Sequence, residues 1–158
     1  MNSPNGPDRT FATFGEILEF AIRREIEAAE GYAGMAGRCR PGALRDLLLD
    51  LRTQEQGHEK LLRDFAAGRL APFAGRDVPD LAISDYTVDE PLGPESSLQA
   101  LLLFAAKKEA KAAALYGALG AKVADPEHKR LFDFLVQEER SHKLRLEQEI
   151  EGHVLEDN

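Results

Sequence analysis

The chain has 158 residues, a net charge of −8, 43% hydrophobic and 30% charged residues, no tryptophan and a single cysteine. That length suits one domain with a full hydrophobic core, and the composition excludes general disorder. The acidity, without any basic stripe, argues against nucleic acid; no apolar run reaches the roughly 18–20 residues of a membrane span; and one cysteine cannot build a disulfide framework or a four-cysteine metal site.

Residues 1–12 read as a flexible lead-in, because MNSPNGPDRT lacks the apolar centre of a secretory signal, and cytoplasmic residence is the expectation. A first helix is predicted from Thr13, where Thr13 and Glu16 have capping-box spacing, to about Arg38. Its inward stripe is Phe14, Leu18, Ala21, Glu25, Ala28, Tyr32 and Met35. A second helix opens at Pro41 and stops near Gly68, with the stripe Leu44, Leu48, Leu51, Glu55, His58, Leu62 and Phe65. Cys39 falls at the turn between them and reads as an ordinary thiol.

Residues 69–95 carry prolines and no helical period, so they read as a crossover. Ser96 with Gln99 announces a third helix, whose stripe is Leu98, Leu102, Ala105, Glu109, Ala112, Tyr116 and Leu119. Asp125 and Pro126 cap a fourth, ending near Gly152, with the stripe His128, Phe132, Leu135, Glu139, His142 and Leu146. Residues 152–158 form a tail. Stripes spaced by four and three describe helices packed nearly parallel, hence an all-α four-helix bundle of two hairpins, 13–68 and 96–151.

The two hairpins repeat. Glu25, Tyr32, Glu55 and His58 return as Glu109, Tyr116, Glu139 and His142, each 84 positions later. The midpoint of Glu25 and Glu55 is residue 40, beside the first turn, and that of Glu109 and Glu139 is residue 124, beside the second. Both glutamates of a hairpin therefore come to one height, at about 1.5 Å per residue.

Carboxylates and imidazoles on apolar stripes are costly unless neutralised. Glu55 with His58, and Glu139 with His142, share a face at three-residue spacing, and Glu25 and Glu109 add one carboxylate each. Four carboxylates and two neutral imidazoles carry a formal charge of −4, which two divalent cations cancel. Two carboxylates would bridge the ions and two would bind terminally, with one histidine on each. Oxygen-rich ligation with nitrogen and no thiolate suits iron or manganese and accepts zinc. The plainer alternative for any one of these residues is a satisfied polar layer; Glu27, Glu30, Glu59 and Glu147 read as solvated coating, and His128 and His153 as surface histidines. Tyr32 and Tyr116 read either as core or as donors that orient a carboxylate.

The strings Glu25-Ile-Glu-Ala-Ala-Glu-Gly-Tyr32, Glu55-Gln-Gly-His58, Glu109-Ala-Lys-Ala-Ala-Ala-Leu-Tyr116 and Glu139-Arg-Ser-His142 resemble the ferritin-like di-iron carboxylate superfamily, most closely its rubrerythrin-type branch, over about residues 13–151. The resemblance implies two iron ions held by Glu25, Glu55, His58, Glu109, Glu139 and His142, reacting with dioxygen or hydrogen peroxide. It also implies a homodimer. Two departures stand out. The rubredoxin module of rubrerythrins needs four cysteines, so electrons would come from a separate donor protein. The extra glutamate one turn after the third-helix ligand is Ala112 here, with Ala28 as its repeat equivalent, so the six-residue set is more like bacterioferritin's oxidase centre. No fifth helix of the ferritin type is expected after Gly152. Alternatives to turnover are iron delivery, or a structural bundle holding zinc or nothing, with Leu101, Leu103 and Phe104 serving assembly.

Overall fold

The computed structural model describes residues 11–68, 77–88, 93 and 96–156. Most of the lead-in (1–10), the stretches 69–76, 89–92 and 94–95 of the crossover, residues 157–158 and the side chain of His153 lie outside the described residues. Four helices dominate: α1 (Phe14–Gly37), α2 (Ala43–Ala66), α3 (Leu98–Lys122) and α4 (Pro126–Glu156). The fold is the expected all-α four-helix bundle.

Local chemistry sets the helix ends. Thr13 and Glu16 form the reciprocal capping box, with the Thr13 hydroxyl accepting from the Glu16 amide at 3.1 Å. At α2 the start is later than expected: Gly42 is the N-cap and Pro41 stays outside the helix. At α3 the cap is Ser97, which accepts from the Ala100 amide, while Ser96 donates its hydroxyl to the Gly93 carbonyl instead. Asp125 accepts from the Glu127 amide ahead of α4, and α4 runs past Gly152 to Glu156. Gly68, at φ +71°, supplies the left-handed residue that lets the chain leave α2.

A short antiparallel ribbon is an addition to the helical reading. Strand β1 (Phe11–Thr13) pairs with β2 (Asp77–Ala82), Phe11 opposite Ala82 and Thr13 opposite Asp77, with an irregular register between. The 3₁₀ turn Ile83–Tyr86 then lies against α3, and Lys111 Nζ donates to the Asp85 carbonyl at 3.3 Å. At its other end the crossover is held where Arg38 donates to the Ser96 carbonyl at 2.9 Å.

α1 packs along α2, and α3 along α4. The buried side chains fall into two clusters. One joins the start of α1 to the end of α2, the end of α3 and the start of α4, and includes Phe14, Phe65, Leu119 and Phe132. The other joins the opposite ends and includes Met35, Leu48, Leu102 and Leu146. Repeat partners sit at opposite ends: Leu51 and Leu102 in the second cluster, Leu135 and Leu18 in the first. The approximate two-fold axis therefore crosses the bundle at mid-height, between the clusters. Each cluster contributes burial worth about 1.5–3 kcal/mol per large apolar side chain. The price in polar groups is concentrated in the layer between them.

Candidate metal centre

That layer holds all six candidate ligands, Glu25, Glu55, His58, Glu109, Glu139 and His142. Glu25, Glu55, Glu139 and His142 are fully buried, Glu109 is 1% and His58 3% exposed. α1 and α3 each present one glutamate, α2 and α4 each a glutamate and a histidine one turn on. The donor atoms form two overlapping groups, Glu25, Glu55, His58 and Glu139, and Glu55, Glu109, Glu139 and His142, with the atoms of each group within 4.8 Å of one another. Glu55 and Glu139 belong to both.

The hydrogen bonds cross between hairpins and repeat the two-fold. Tyr32 of α1 donates to Glu109 of α3 at 2.5 Å, and Tyr116 of α3 donates to Glu25 of α1. Burial and the adjacent Glu109 push the Tyr32 hydroxyl well above its ordinary pKa, and burial with Glu25 does the same to Tyr116, so both remain protonated donors. The histidines cross as well. His58 Nδ1 lies 3.0 Å from Glu139 Oε1, and His142 Nδ1 lies 2.7 Å from Glu55 Oε1. The two rings stack, 12° from parallel, with centroids 5.6 Å apart.

The outer nitrogens have partners of their own. His142 Nε2 is 2.7 Å from Gln54 Oε1, an acceptor, so it carries a proton. His58 Nε2 is 3.5 Å from Glu138 Oε2. Gln54 and Glu138 are themselves 84 positions apart. With its Nε2–H turned outward to Gln54, the His142 imidazole offers its Nδ1 lone pair to the carboxylates. That lone pair and the carboxylate oxygens facing it at 2.7–3.8 Å need a proton or a cation between them. Despite its 2.7 Å approach, the His142–Glu55 pair is not aligned for a hydrogen bond. Glu25 Oε2, Glu55 Oε1, Glu109 Oε2 and His142 Nδ1 are all buried without a hydrogen-bond partner. Four orphaned donor atoms, three of them carboxylate oxygens, fit a hard or borderline divalent ion.

One participant was not foreseen from the sequence. Arg24, only 6% exposed, sits among all four carboxylates. Nη1 lies 3.2 Å from Glu25 Oε1 and 3.3 Å from Glu55 Oε2; Nη2 lies 3.4 Å from Glu109 Oε2 and 3.3 Å from Glu139 Oε2. Burial opposes its charge, but Glu25, Glu109 and Glu55 overcome that and hold the guanidinium firmly protonated. Burial also opposes ionisation of Glu25, yet Arg24 and hydrogen bonding with Glu55 and His58 bring its pKa down to about 2. Glu55 goes the other way: burial, then repulsion from Glu109 and Glu25, raise it well above the usual carboxylate value. The repeat equivalent of Arg24 is Lys108, half-buried over the Phe104 ring, so this feature breaks the two-fold. Gln54 and Glu138 were also missed, although their 84-residue spacing was available. His128, expected at the surface, is 2% exposed with its ring edge-on to Phe65, 4.7 Å between centroids. It belongs to the aromatic cluster, away from the six donors.

A two-hairpin bundle with a long crossover and a mid-height layer of four carboxylates and two imidazoles defines a ferritin-like fold with a candidate metal site. A family model described as Rubrerythrin matches residues 16–150, and the chain belongs to the rubrerythrin family. A solved structure of a hypothetical protein from Pyrococcus furiosus is similar at 30% sequence identity and TM-score 0.68, covering 87% of each chain. No curated protein matches. The single cysteine leaves no place for a rubredoxin module in this sequence. Among the described residues no helix is long and apolar enough to cross a membrane.

Proposed function

We propose that the buried cluster is a di-iron centre that carries out oxidoreduction with dioxygen or hydrogen peroxide. The observation that carries this reading is the pair of overlapping donor groups sharing Glu55 and Glu139. Glu25, Glu55, His58 and Glu139 would hold one iron ion, and Glu55, Glu109, Glu139 and His142 would hold the other. Manganese or zinc would satisfy the same donors. Bound there, two ferrous ions would supply the two electrons that reduce one peroxide to water.

The chain's own residues account for the rest. Tyr116 and Tyr32 pin one oxygen of Glu25 and of Glu109, leaving the other oxygen for a metal. Gln54 and Glu138 orient the imidazoles. The clusters above and below exclude water from the layer, which strengthens every charge interaction in it. Ala112, buried beside the centre, offers no additional carboxylate one turn beyond Glu109, which favours a fixed ligand set and ferroxidase chemistry over a shifting one. Re-reduction then falls to a separate donor protein. Pairing into a homodimer belongs to the same proposal, with Leu103, Phe134 and Leu144 as the exposed apolar side chains available to it, as does cytoplasmic residence.

Stopped-flow mixing of Fe(II)-loaded protein with each oxidant tests the function. Ferric absorbance should develop at least about tenfold faster than with iron in buffer and should be lost in Glu55→Ala and Glu139→Ala. Oxidation no faster than in buffer would refute it.

A further inference from the structure

Arg24 touches all four carboxylates that the proposed metal ions need, and at Glu55, Glu109 and Glu139 it sits on an oxygen left open to an ion. Its two terminal nitrogens lie 3.2–3.4 Å from Glu25 Oε1, Glu55 Oε2, Glu109 Oε2 and Glu139 Oε2, one carboxylate from each helix. A divalent ion takes carboxylate oxygens at about 2.0–2.2 Å. An ion bound to Glu55 Oε2 or Glu139 Oε2 would therefore share that oxygen with a guanidinium a few ångströms away, two cations facing each other in a dry layer. Together with two divalent ions, Arg24 also overshoots the four carboxylate charges by one.

The surroundings of Arg24 give it somewhere to go. It lines a groove of about 580 Å³ between α1 and α3, whose walls include Gly31, Gly34, Leu101 and Phe104. It also lines a smaller cavity of about 210 Å³ beneath Tyr86, Thr87 and Val88 of the crossover. Glu27, on the same helix face one turn along, lines both and is 56% exposed at its side chain. Lys108 stands 3.9 Å from it. Arg24 Nε has no hydrogen-bond partner inside the layer, so part of the guanidinium gains by leaving.

We infer that Arg24 is a displaceable counter-ion: it neutralises the four carboxylates, competes with metal ions for their oxygens, and swings outward toward Glu27 when the ions bind. The repeat offers the comparison within one molecule, since Lys108, in the matching place, already points along that groove and leaves the carboxylates alone. Displacement makes metal loading an ion exchange within the bundle, so Arg24 sets the affinity of the centre while touching nothing that reacts.

This inference rests on the metal-centre reading, and the tests separate the two. Chelator-treated wild type and Arg24→Met are titrated anaerobically with Fe(II), and thermal melting is followed with and without the metal. Arg24→Met should bind the ion roughly tenfold tighter or more, because a competing charge is gone. Its chelator-treated form should melt lower than wild type, while the loaded forms melt alike. Unchanged or weaker affinity, or an equal loss of melting temperature in both forms, would overturn the inference. Wild-type protein provides a check that does not depend on the variant folding: phenylglyoxal labelling, read by peptide mass, should spare Arg24 in chelator-treated protein and modify it after loading. Equal protection in both forms would also overturn it. Failure of the wild type to bind iron would overturn this inference and the di-iron reading together, whereas binding with Arg24 still protected would leave that reading standing.

Discussion

Replacing Glu55 by Gln separates a carboxylate kept for a metal from one kept for structure. The change keeps shape and volume and removes one negative charge from a layer where Glu25, Glu109 and burial already oppose it. Because Glu55 is raised in the folded chain, its ionisation costs stability: the folded state is undisturbed below the ordinary glutamate pKa of about 4.3, and stability is lost as pH rises toward the folded value. Glu55→Gln in chelator-treated protein should therefore match wild type near pH 4. At pH 7.5 it should be more stable by about 1 kcal/mol or more, since Arg24 retains three carboxylate partners. Metal binding should move the opposite way. Loss of a partner that merely orients a metal ligand costs about 10–100-fold in affinity, so loss of a shared carboxylate should cost at least about 100-fold. Urea unfolding followed by circular dichroism at the two pH values, with calorimetric metal titration, measures both. A loss of about 3–5 kcal/mol at pH 7.5, the cost of breaking a buried ion pair, would mean that Glu55 serves Arg24, and the reasoning would fail.

Tyr116→Phe removes the donor to Glu25 and should cost about 1–2 kcal/mol in chelator-treated protein and roughly tenfold in metal affinity, read by the same two methods. Gly120→Ala places a methyl 3.1 Å from Phe132 Cβ of α4, so it should lower stability by about 1 kcal/mol despite the better helix propensity of alanine; a gain would contradict the packing. Metal loading in weak buffer should release protons, Glu55 being a source, so affinity should fall as pH drops from neutral toward 5. A pH-independent affinity would show that the ligands are already ionised.

The site was legible because burying carboxylates is expensive. Glu25, Glu55, Glu109 and Glu139 interrupt stripes of leucine and alanine at positions the helical period assigns to the core, and the 84-residue repeat doubles the signal. Arg24 was not legible, since an arginine beside a buried glutamate ordinarily turns to solvent. Its inward path depends on carboxylates from three other helices, and its repeat partner is a lysine that takes the outward course. The burial of His128 depends likewise on Phe65 of another helix. The α3 start slipped by one residue because Ser96 and Ser97 both offer a capping hydroxyl, and that of Ser96 is spent on the Gly93 carbonyl. The ribbon escaped because three residues cannot show an alternating pattern, and Pro79 within β2 argues against a strand except at an edge.

The most direct test of the centre is an anaerobic Fe(II) titration of chelator-treated protein, with bound iron counted per chain. Two ions per chain, falling below one in a variant carrying both Glu55→Ala and Glu139→Ala, is the expected result. Binding that is absent in the wild type, or unchanged when both shared carboxylates are removed, would contradict the account.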